Sequence, residues 1–214
     1  MAFLAVTMAL LLFVAAGTIS YWQGWIYLAV FFGASLLTTL YLMKRDPALL
    51  ERRLSAGPFA EKRTSQRIIM VIASVSFLLL LVIPAIDHRF RWSQVPAPLV
   101  ILSDFLVAVG FYLVFRVYRE NTFTSATIQV TENQKVITTG PYSIVRHPMY
   151  ASSLLYVIGT PLALGSFWGI VAVVGFLPAL IWRLKDEEQM LVTELPGYRE
   201  YQHSVRYRLL PGVW

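Results

Sequence analysis

Four long apolar runs, almost free of charge, constrain this chain more than any other feature of its sequence. They cover Met1 to Met43, Ile68 to Ile86, Leu99 to Phe115 with Asp104 as its one charge, and Met149 to Trp182. A run of about 20 apolar residues can cross a bilayer as a helix, because every backbone amide inside hydrocarbon must be paired within its own segment. We therefore expect an all-α, polytopic integral membrane helical bundle.

The runs predict five to six membrane segments. The sequence "GTISYWQGW" divides the first run into two halves, each about long enough to span. The last run is short for two full spans, so "TPLALGSFWG" near its middle predicts a tight helical hairpin, tilted or partly embedded. A signal peptide is the alternative for the N-terminal run, but it needs a positive n-region, and the first cation is Lys44.

The cations are distributed unevenly around these runs. With six spans, only Arg89 and Arg91 of the 18 Lys and Arg residues fall on one side. Loops rich in Lys and Arg stay in the cytoplasm. We therefore expect both termini and the loops 44–67 and 119–146 to be cytoplasmic, in a membrane of the bacterial inner type. The net charge of +6 favours anionic lipid headgroups as partners. A nucleic-acid partner is not expected, since the basic residues are not interleaved with aromatics on one soluble face.

Other titratable residues narrow the chemistry. The chain has no cysteine, which excludes disulfides, thiolate nucleophiles and cysteine-based metal sites. The histidines His88, His147 and His203 lie far apart without the spacing of metal ligands, so no metal site is expected. Asp104 lies about one turn inside its span, where a carboxylate is either functional or close enough to reach the interface.

The loops and the tail carry weaker structural signals. Pro47 to Leu54 predicts a short amphipathic helix, followed by a turn at Gly57-Pro58; this helix either anchors the loop at the interface or contacts substrate. The threonine-rich and β-branched segments "TFTSATIQV" and "KVITT", on either side of "TENQ", predict a small cytoplasmic β-hairpin. The tail is expected to form an amphipathic C-terminal helix.

Arg146 and His147 stand directly before Pro148, where a cytoplasmic loop becomes the membrane hairpin. Proline is favoured as the first residue of a helix, and the unpaired amides of a first turn, with the positive end of the helix dipole, attract an anion. The two side chains add donors just outside that turn. The alternative is that Arg146 reaches to lipid phosphates and His147 only caps the helix.

An acidic cluster, Asp186 to Glu188, follows the last apolar run. Anions are disfavoured beside a negative membrane surface, so three in succession indicate either a site or a solvated acidic face. Arg183 precedes Glu187 by one helical turn, which allows an i,i+4 ion pair.

A helical hairpin brings its two ends together. We therefore expect Arg146 and His147 to face Glu187 and Glu188 in a cytoplasmic pocket. Carboxylates and aromatic faces on its walls suit a zwitterionic or cationic cofactor, of which a sulfonium is one candidate. Asn121 either caps the fourth span or lines this pocket.

The two constellations carry a resemblance. The pattern Arg146-His147-Pro148-Met149-Tyr150, then 36 residues, then Glu187-Glu188 resembles the signature of the isoprenylcysteine carboxyl methyltransferase and phospholipid methyltransferase superfamily. The segments "TTGPYSIV" and "LPGYREYQHSVRYRLLPGV" are similar to its flanks, so the likeness covers about residues 120–214. The first half resembles the family only as a membrane anchor with a basic loop.

The resemblance implies a methyl transfer from S-adenosylmethionine, bound at the cytoplasmic face under the C-terminal segment, to a lipophilic or small-molecule acceptor. It implies a membrane anchor at 1–118 and a cofactor-binding and catalytic region at 119–214. A carboxylate of the isoprenylcysteine type is the first acceptor expected; a phospholipid amine, a small thiol, or a different reaction, that of an NADPH-dependent sterol-type reductase, are the alternatives. Candidate cofactor-binding residues are Tyr142, Arg146, His147, Pro148, Met149, Tyr150, Glu187 and Glu188, and candidate catalytic residues are Arg183, Glu188 and Arg208. The resemblance implies that Arg183 and Arg208 either brace the pocket or bind an anionic substrate.

Overall fold

A computed structural model describes residues 1–54, 57, 59–61, 63–130 and 133–214. Within these residues the chain forms eight α-helices and one short 3-10 helix, and no strand is assigned. The all-helical class is therefore confirmed for the described part of the chain. The α-helices are α1 (Ala2–Ala16), α2 (Trp22–Arg45), α3 (Pro47–Leu54), α4 (Thr64–Phe90), α5 (Ala97–Glu120), α6 (Pro148–Ala163), α7 (Ile170–Glu194) and α8 (Tyr198–Ser204), and the 3-10 helix is Gly140–Ser143.

Three helices, α2, α4 and α5, are long and apolar enough to cross a membrane. Their mean hydropathies are 1.9, 2.8 and 2.2, and many of their large apolar side chains are exposed, as lipid contact requires. The chain is therefore an integral membrane protein. The helix α1 has 15 residues and α6 has 16. At 1.5 Å per residue both are shorter than a hydrocarbon core of about 30 Å, so five to six complete spans are not established.

The predicted β-hairpin is not confirmed. In the described residues of the loop after α5 the backbone hydrogen-bonds to residues of α3 rather than to a second strand. The guanidinium groups of Arg52 and Arg53 donate to the carbonyl oxygens of Thr122 and Ser125, and the Ala126 amide donates to the Arg52 carbonyl at 3.4 Å. Thr131 and Glu132, in the expected turn, lie outside the described residues, as does Pro58 of the turn predicted after α3.

The chain forms two compact units, each built from three separate segments. The predicted division of the chain into a membrane anchor and a catalytic region, between residues 118 and 119, does not correspond to these units and stays a prediction. Unit 1 comprises Met1–Leu37, Ala73–Tyr112 and Ser153–Leu177, and unit 2 comprises Thr38–Ile72, Leu113–Ser152 and Pro178–Trp214.

Unit 1 has an apolar core with polar contacts inside it. The Tyr21 hydroxyl donates to the carbonyl oxygen of Leu164 at 2.5 Å, and the hydroxyls of Tyr27 and Thr160 are 3.1 Å apart. Asp104, on α5, is buried, and both its carboxylate oxygens are buried without a hydrogen-bond partner among the described residues. The Asp104 carboxylate is therefore unsatisfied among the described residues, and both alternatives for its role stay predictions.

Unit 2 contains every residue predicted to belong to the site. Its apolar cluster joins α8 to the end of α7 through Leu195, Tyr198, Tyr201 and Val205. The exposed side of α8 carries Arg199, Glu200 and His203, so this short helix is amphipathic. The basic loop also belongs to this unit, and its helix α3 has the predicted bounds.

Candidate active site

The Arg146-His147 pair is held by the C-terminal tail. Pro148 begins α6, and the two residues before it donate their backbone amides to the carbonyl oxygens of Tyr207 and Arg208, each at 2.9 Å. These two amides therefore have partners within the chain, and an anion at this turn would have to use other donors.

Glu188 is the centre of a buried ion-pair cluster. Its Oε1 accepts from Arg146 Nε at 2.7 Å and lies 3.2 Å from His147 Nε2, and its Oε2 accepts from Arg208 Nε at 2.8 Å. The Arg146 and Glu188 side chains are 6% and 7% exposed. Burial alone would raise the pKa of Glu188, but hydrogen bonds from His147, Arg146 and Arg208 outweigh it and lower this pKa to about 2. The carboxylate is therefore ionised throughout the physiological range.

Arg146 also ties the tail to this cluster. Its Nη1 donates to the carbonyl oxygens of Val205 and Arg206 at 2.9 and 2.8 Å. Arg208, one-third exposed, lies over the Trp214 ring at 5.2 Å. The residues after α8 are thus fixed against the start of α6 by one buried arginine and by backbone hydrogen bonds.

Glu187 belongs to a second hydrogen-bonded network of polar side chains. The Tyr150 hydroxyl donates to Glu187 Oε2 at 2.5 Å and accepts from Arg183 Nε at 3.1 Å. The ion pair of Arg183 is with Glu61, at 2.9 Å, and not with Glu187 as the helical spacing suggested. Tyr150 stands between the two residues that were expected to pair directly.

Arg183 uses all three of its nitrogens inside the protein. Besides Tyr150 and Glu61, it donates to Gln66 Oε1 and to the Ala126 carbonyl oxygen, each at 2.9 Å. This set of bonds joins α7 to the loop before α4, to the first turn of α4 and to the loop after α5. It supports the bracing alternative for Arg183 over contact with an anionic acceptor.

Sequence reasoning missed Glu61 and Gln66. Glu61 is 2% exposed, and besides the Arg183 ion pair its Oε2 accepts from the Ile128 amide at 3.3 Å. Gln66 is fully buried and also donates to Asp186. The one signal in the sequence was an acidic residue inside a basic loop, which does not indicate a partner more than 100 residues away.

The remaining predicted residues lie beside these clusters. Pro148 is buried, and Met149 and Tyr142 are half-buried. Asn121 Nδ2 donates to the Tyr142 hydroxyl at 2.9 Å, and the Tyr201 hydroxyl donates to the Tyr142 carbonyl oxygen at 2.6 Å. Burial raises the pKa of the Tyr142 phenol above its ordinary value, so it stays a neutral hydroxyl.

The residues that the structure describes contain no group of three or more His, Asp or Glu side chains arranged to hold a metal ion. Fold and site together define an integral membrane protein with a buried cluster of arginines, carboxylates and tyrosines. Residues 99–197 match the sequence profile of the phospholipid methyltransferase family. This match, over just under half of the chain, supports the resemblance to the superfamily that contains the isoprenylcysteine carboxyl and phospholipid methyltransferases.

A curated relative covers a similar extent. The chain is 28% identical over 102 residues to the cobalt-zinc-cadmium resistance protein CzcN of Cupriavidus metallidurans. The match takes in 47% of this chain and 47% of that protein, so the chain spans about half the length of the relative it matches.

Proposed function

We propose that this protein is an integral membrane methyltransferase that transfers a methyl group from S-adenosylmethionine to a lipophilic acceptor. One observation carries the proposal. The family match includes both Arg146-His147 and Glu188, and these side chains lie within hydrogen-bond distance in one buried cluster. A sequence signature whose distant halves meet is typical of a functional site rather than of a membrane anchor.

The residues present fit this cofactor. S-adenosylmethionine supplies an electrophilic methyl group on a sulfonium, together with an ammonium, a carboxylate and a ribose. The site offers carboxylates and tyrosine faces suited to a cation, and the buried Tyr198 hydroxyl has no hydrogen-bond partner in the described residues. An unpartnered buried donor next to charged residues is what a site lacking a polar ligand is expected to contain.

Each predicted residue has a role in this proposal. The segment Arg146 to Tyr150, with Tyr142 beside it, holds the methionine and ribose parts, and Glu187 and Glu188 bind amino or ribose groups. Arg183 positions the pocket walls through its internal bonds. Arg208 keeps one-third of its side chain exposed and is the better placed arginine for an anionic acceptor.

The acceptor proposed first is a carboxylate of the isoprenylcysteine type. A carboxylate needs no base, because the residues have only to align it and exclude water, whereas an amine must first lose a proton. A phospholipid amine is the second candidate, and the phospholipid methyltransferase profile favours it. The acceptor decides whether the site must also take up a proton.

The topology that goes with this function has five to six membrane segments, with α6 and α7 as a hairpin and with the site and both termini in the cytoplasm of a bacterial-type cell. The chain has no cysteine, so single cysteines can be placed without background. Cysteine at exposed Phe59 should react with an impermeant maleimide only after the membrane is opened, and cysteine at exposed Trp92 should react in intact cells. The reverse labelling pattern would show that the protein has the opposite orientation in the membrane.

Calorimetric titration of the detergent-purified protein tests the cofactor. S-adenosylhomocysteine should bind and NADPH should not. His147→Ala should abolish binding, while His203→Ala, a change of the same residue type at an exposed position of α8, should not. Thermal unfolding of each variant shows whether it is folded. Binding of NADPH alone would support the reductase alternative and contradict methyl transfer.

Radiolabelled S-adenosylmethionine then identifies the acceptor. Transfer to a prenylated cysteine peptide gives a base-labile methyl ester, and transfer to a phospholipid amine gives a base-stable product. If only the base-stable labelled product forms, the acceptor is a phospholipid amine and the carboxylate proposal is wrong.

A further inference from the structure

Two tyrosines on α8 are equally buried but differ in the hydrogen bonding of their hydroxyls. Tyr198 and Tyr201 are both 4% exposed, and their rings lie 5.7 Å apart in the same apolar cluster. The Tyr201 hydroxyl donates to the Tyr142 carbonyl oxygen at 2.6 Å. The Tyr198 hydroxyl is buried and has no partner in the part of the chain that the structure describes. Buried hydroxyls are seldom left without a partner, because the loss of hydration is not offset.

The Tyr198 hydroxyl lies in a charged environment. Burial, and then the negative charges of Glu188 and Glu187, raise the pKa of this phenol above its ordinary value, while the positive charge of Arg146 acts in the opposite direction. The hydroxyl is therefore neutral, with its proton available. Both oxygens of Glu188 already accept from cations, and Glu187 accepts from Tyr150, and neither carboxylate takes the Tyr198 proton.

These surroundings select one kind of ligand group. A carboxylate or phosphate would accept from the phenol but would be repelled by Glu187 and Glu188. An ammonium would be attracted by them but would leave the phenol proton without an acceptor. A hydroxyl can accept from the phenol and donate to a carboxylate at the same time.

We propose that Tyr198 binds a ribose hydroxyl of the cofactor. This inference rests on the proposed function and deepens it, since it assigns a ligand group to a residue outside the Arg-His-Pro and Glu-Glu signature. Tyr198 is a binding residue in this proposal, and it becomes satisfied only when the ligand is present.

The variants Tyr198→Phe and Tyr201→Phe form a matched pair, because each removes one hydroxyl from the same helix. Without ligand, Tyr198→Phe should keep or raise the thermal unfolding midpoint, since it removes an unsatisfied buried group. Tyr201→Phe should lower the midpoint, since it removes a hydrogen bond. By calorimetry with S-adenosylhomocysteine, Tyr198→Phe should bind roughly tenfold more weakly, equivalent to about 1.4 kcal/mol. Tyr201→Phe should stay within about threefold of the unmodified protein.

The 2′-deoxy and 3′-deoxy analogues of S-adenosylhomocysteine identify the contact. One of them should bind the unmodified protein roughly tenfold more weakly than the parent compound and should show no such loss with Tyr198→Phe, because the same bond is already missing. Equal losses in both proteins for both analogues would overturn the inference. So would a Tyr198→Phe variant with unchanged affinity. If the unmodified protein fails to bind S-adenosylhomocysteine at all, the proposed function fails, and this inference fails with it.

Discussion

Replacing Glu188 by glutamine removes the charge at the centre of the ion-pair cluster and keeps the shape of the side chain. Glu188 receives hydrogen bonds from Arg146 and Arg208 and lies within hydrogen-bond distance of His147, and it is almost fully buried. The neutral amide leaves the cations without a counter-charge. Removing one partner from a buried ion pair is strongly destabilising, because the other charge stays desolvated.

The magnitude follows from the pKa of Glu188. Its fall from 4.5 to about 2 corresponds to about 3 kcal/mol of folding free energy at neutral pH. Since the folded-state pKa lies below the unfolded-state value, the unfolded chain takes up the proton first as the pH falls. The contribution is therefore complete well above pH 4.5 and disappears as the pH falls through about 2.

Thermal unfolding in detergent measures this effect. Near pH 7 the free energy of unfolding of the unmodified protein should exceed that of Glu188→Gln by about 3 kcal/mol. This difference should shrink steadily below about pH 4.5. Glu200→Gln, at an exposed position of α8, is the control and should change stability by less than about 0.5 kcal/mol. A difference between the protein and Glu188→Gln that stays constant down to about pH 2.5 would refute the reasoning.

Two further substitutions test the internal contacts. Arg183→Lys should lower the free energy of unfolding by about 3 kcal/mol, because an ammonium cannot reproduce the planar set of bonds that includes the one to buried Glu61. Chemical denaturation measures this change. A change below about 0.5 kcal/mol would contradict the bracing role of Arg183. Asp104→Leu should raise the thermal unfolding midpoint, because it removes two unsatisfied buried oxygens. A lower midpoint would show that Asp104 has a partner such as an internal water.

The sequence predicted the features that depend on local patterns. Runs with no charge or a single one predicted the spans around 68–86 and 99–115, and the structure extends them to Thr64–Phe90 and Ala97–Glu120. The proline and the amphipathic spacing gave the helix Pro47–Leu54. The expectation that Arg146 and His147 meet Glu188 rested on one further rule, that a hairpin brings its ends together, and the structure places these side chains in contact.

The features that the sequence did not predict depend on partners far apart along the chain. The loop after α5 has a composition that favours strands, but strands form only where another strand is available, and here arginines occupy the backbone carbonyl oxygens. The pairing of Arg183 with Glu61 instead of Glu187 was missed for the same reason. Helical spacing shows which pairs are possible, and the packing of distant segments decides which of them form.

The anchoring of the loop after α5 affects how freely its sequence can change. Most of its attachments use the backbone: the carbonyl oxygens of Thr122, Ser125 and Ala126 accept from arginines, and the Ile128 amide donates to Glu61. The Thr122 hydroxyl, which donates to Asp46, is a side-chain attachment. Backbone groups are the same in every residue type except proline, which lacks the amide. We expect evolution to be able to exchange most side chains along this loop, with proline excluded at positions 126 and 128, while the path of the loop is retained.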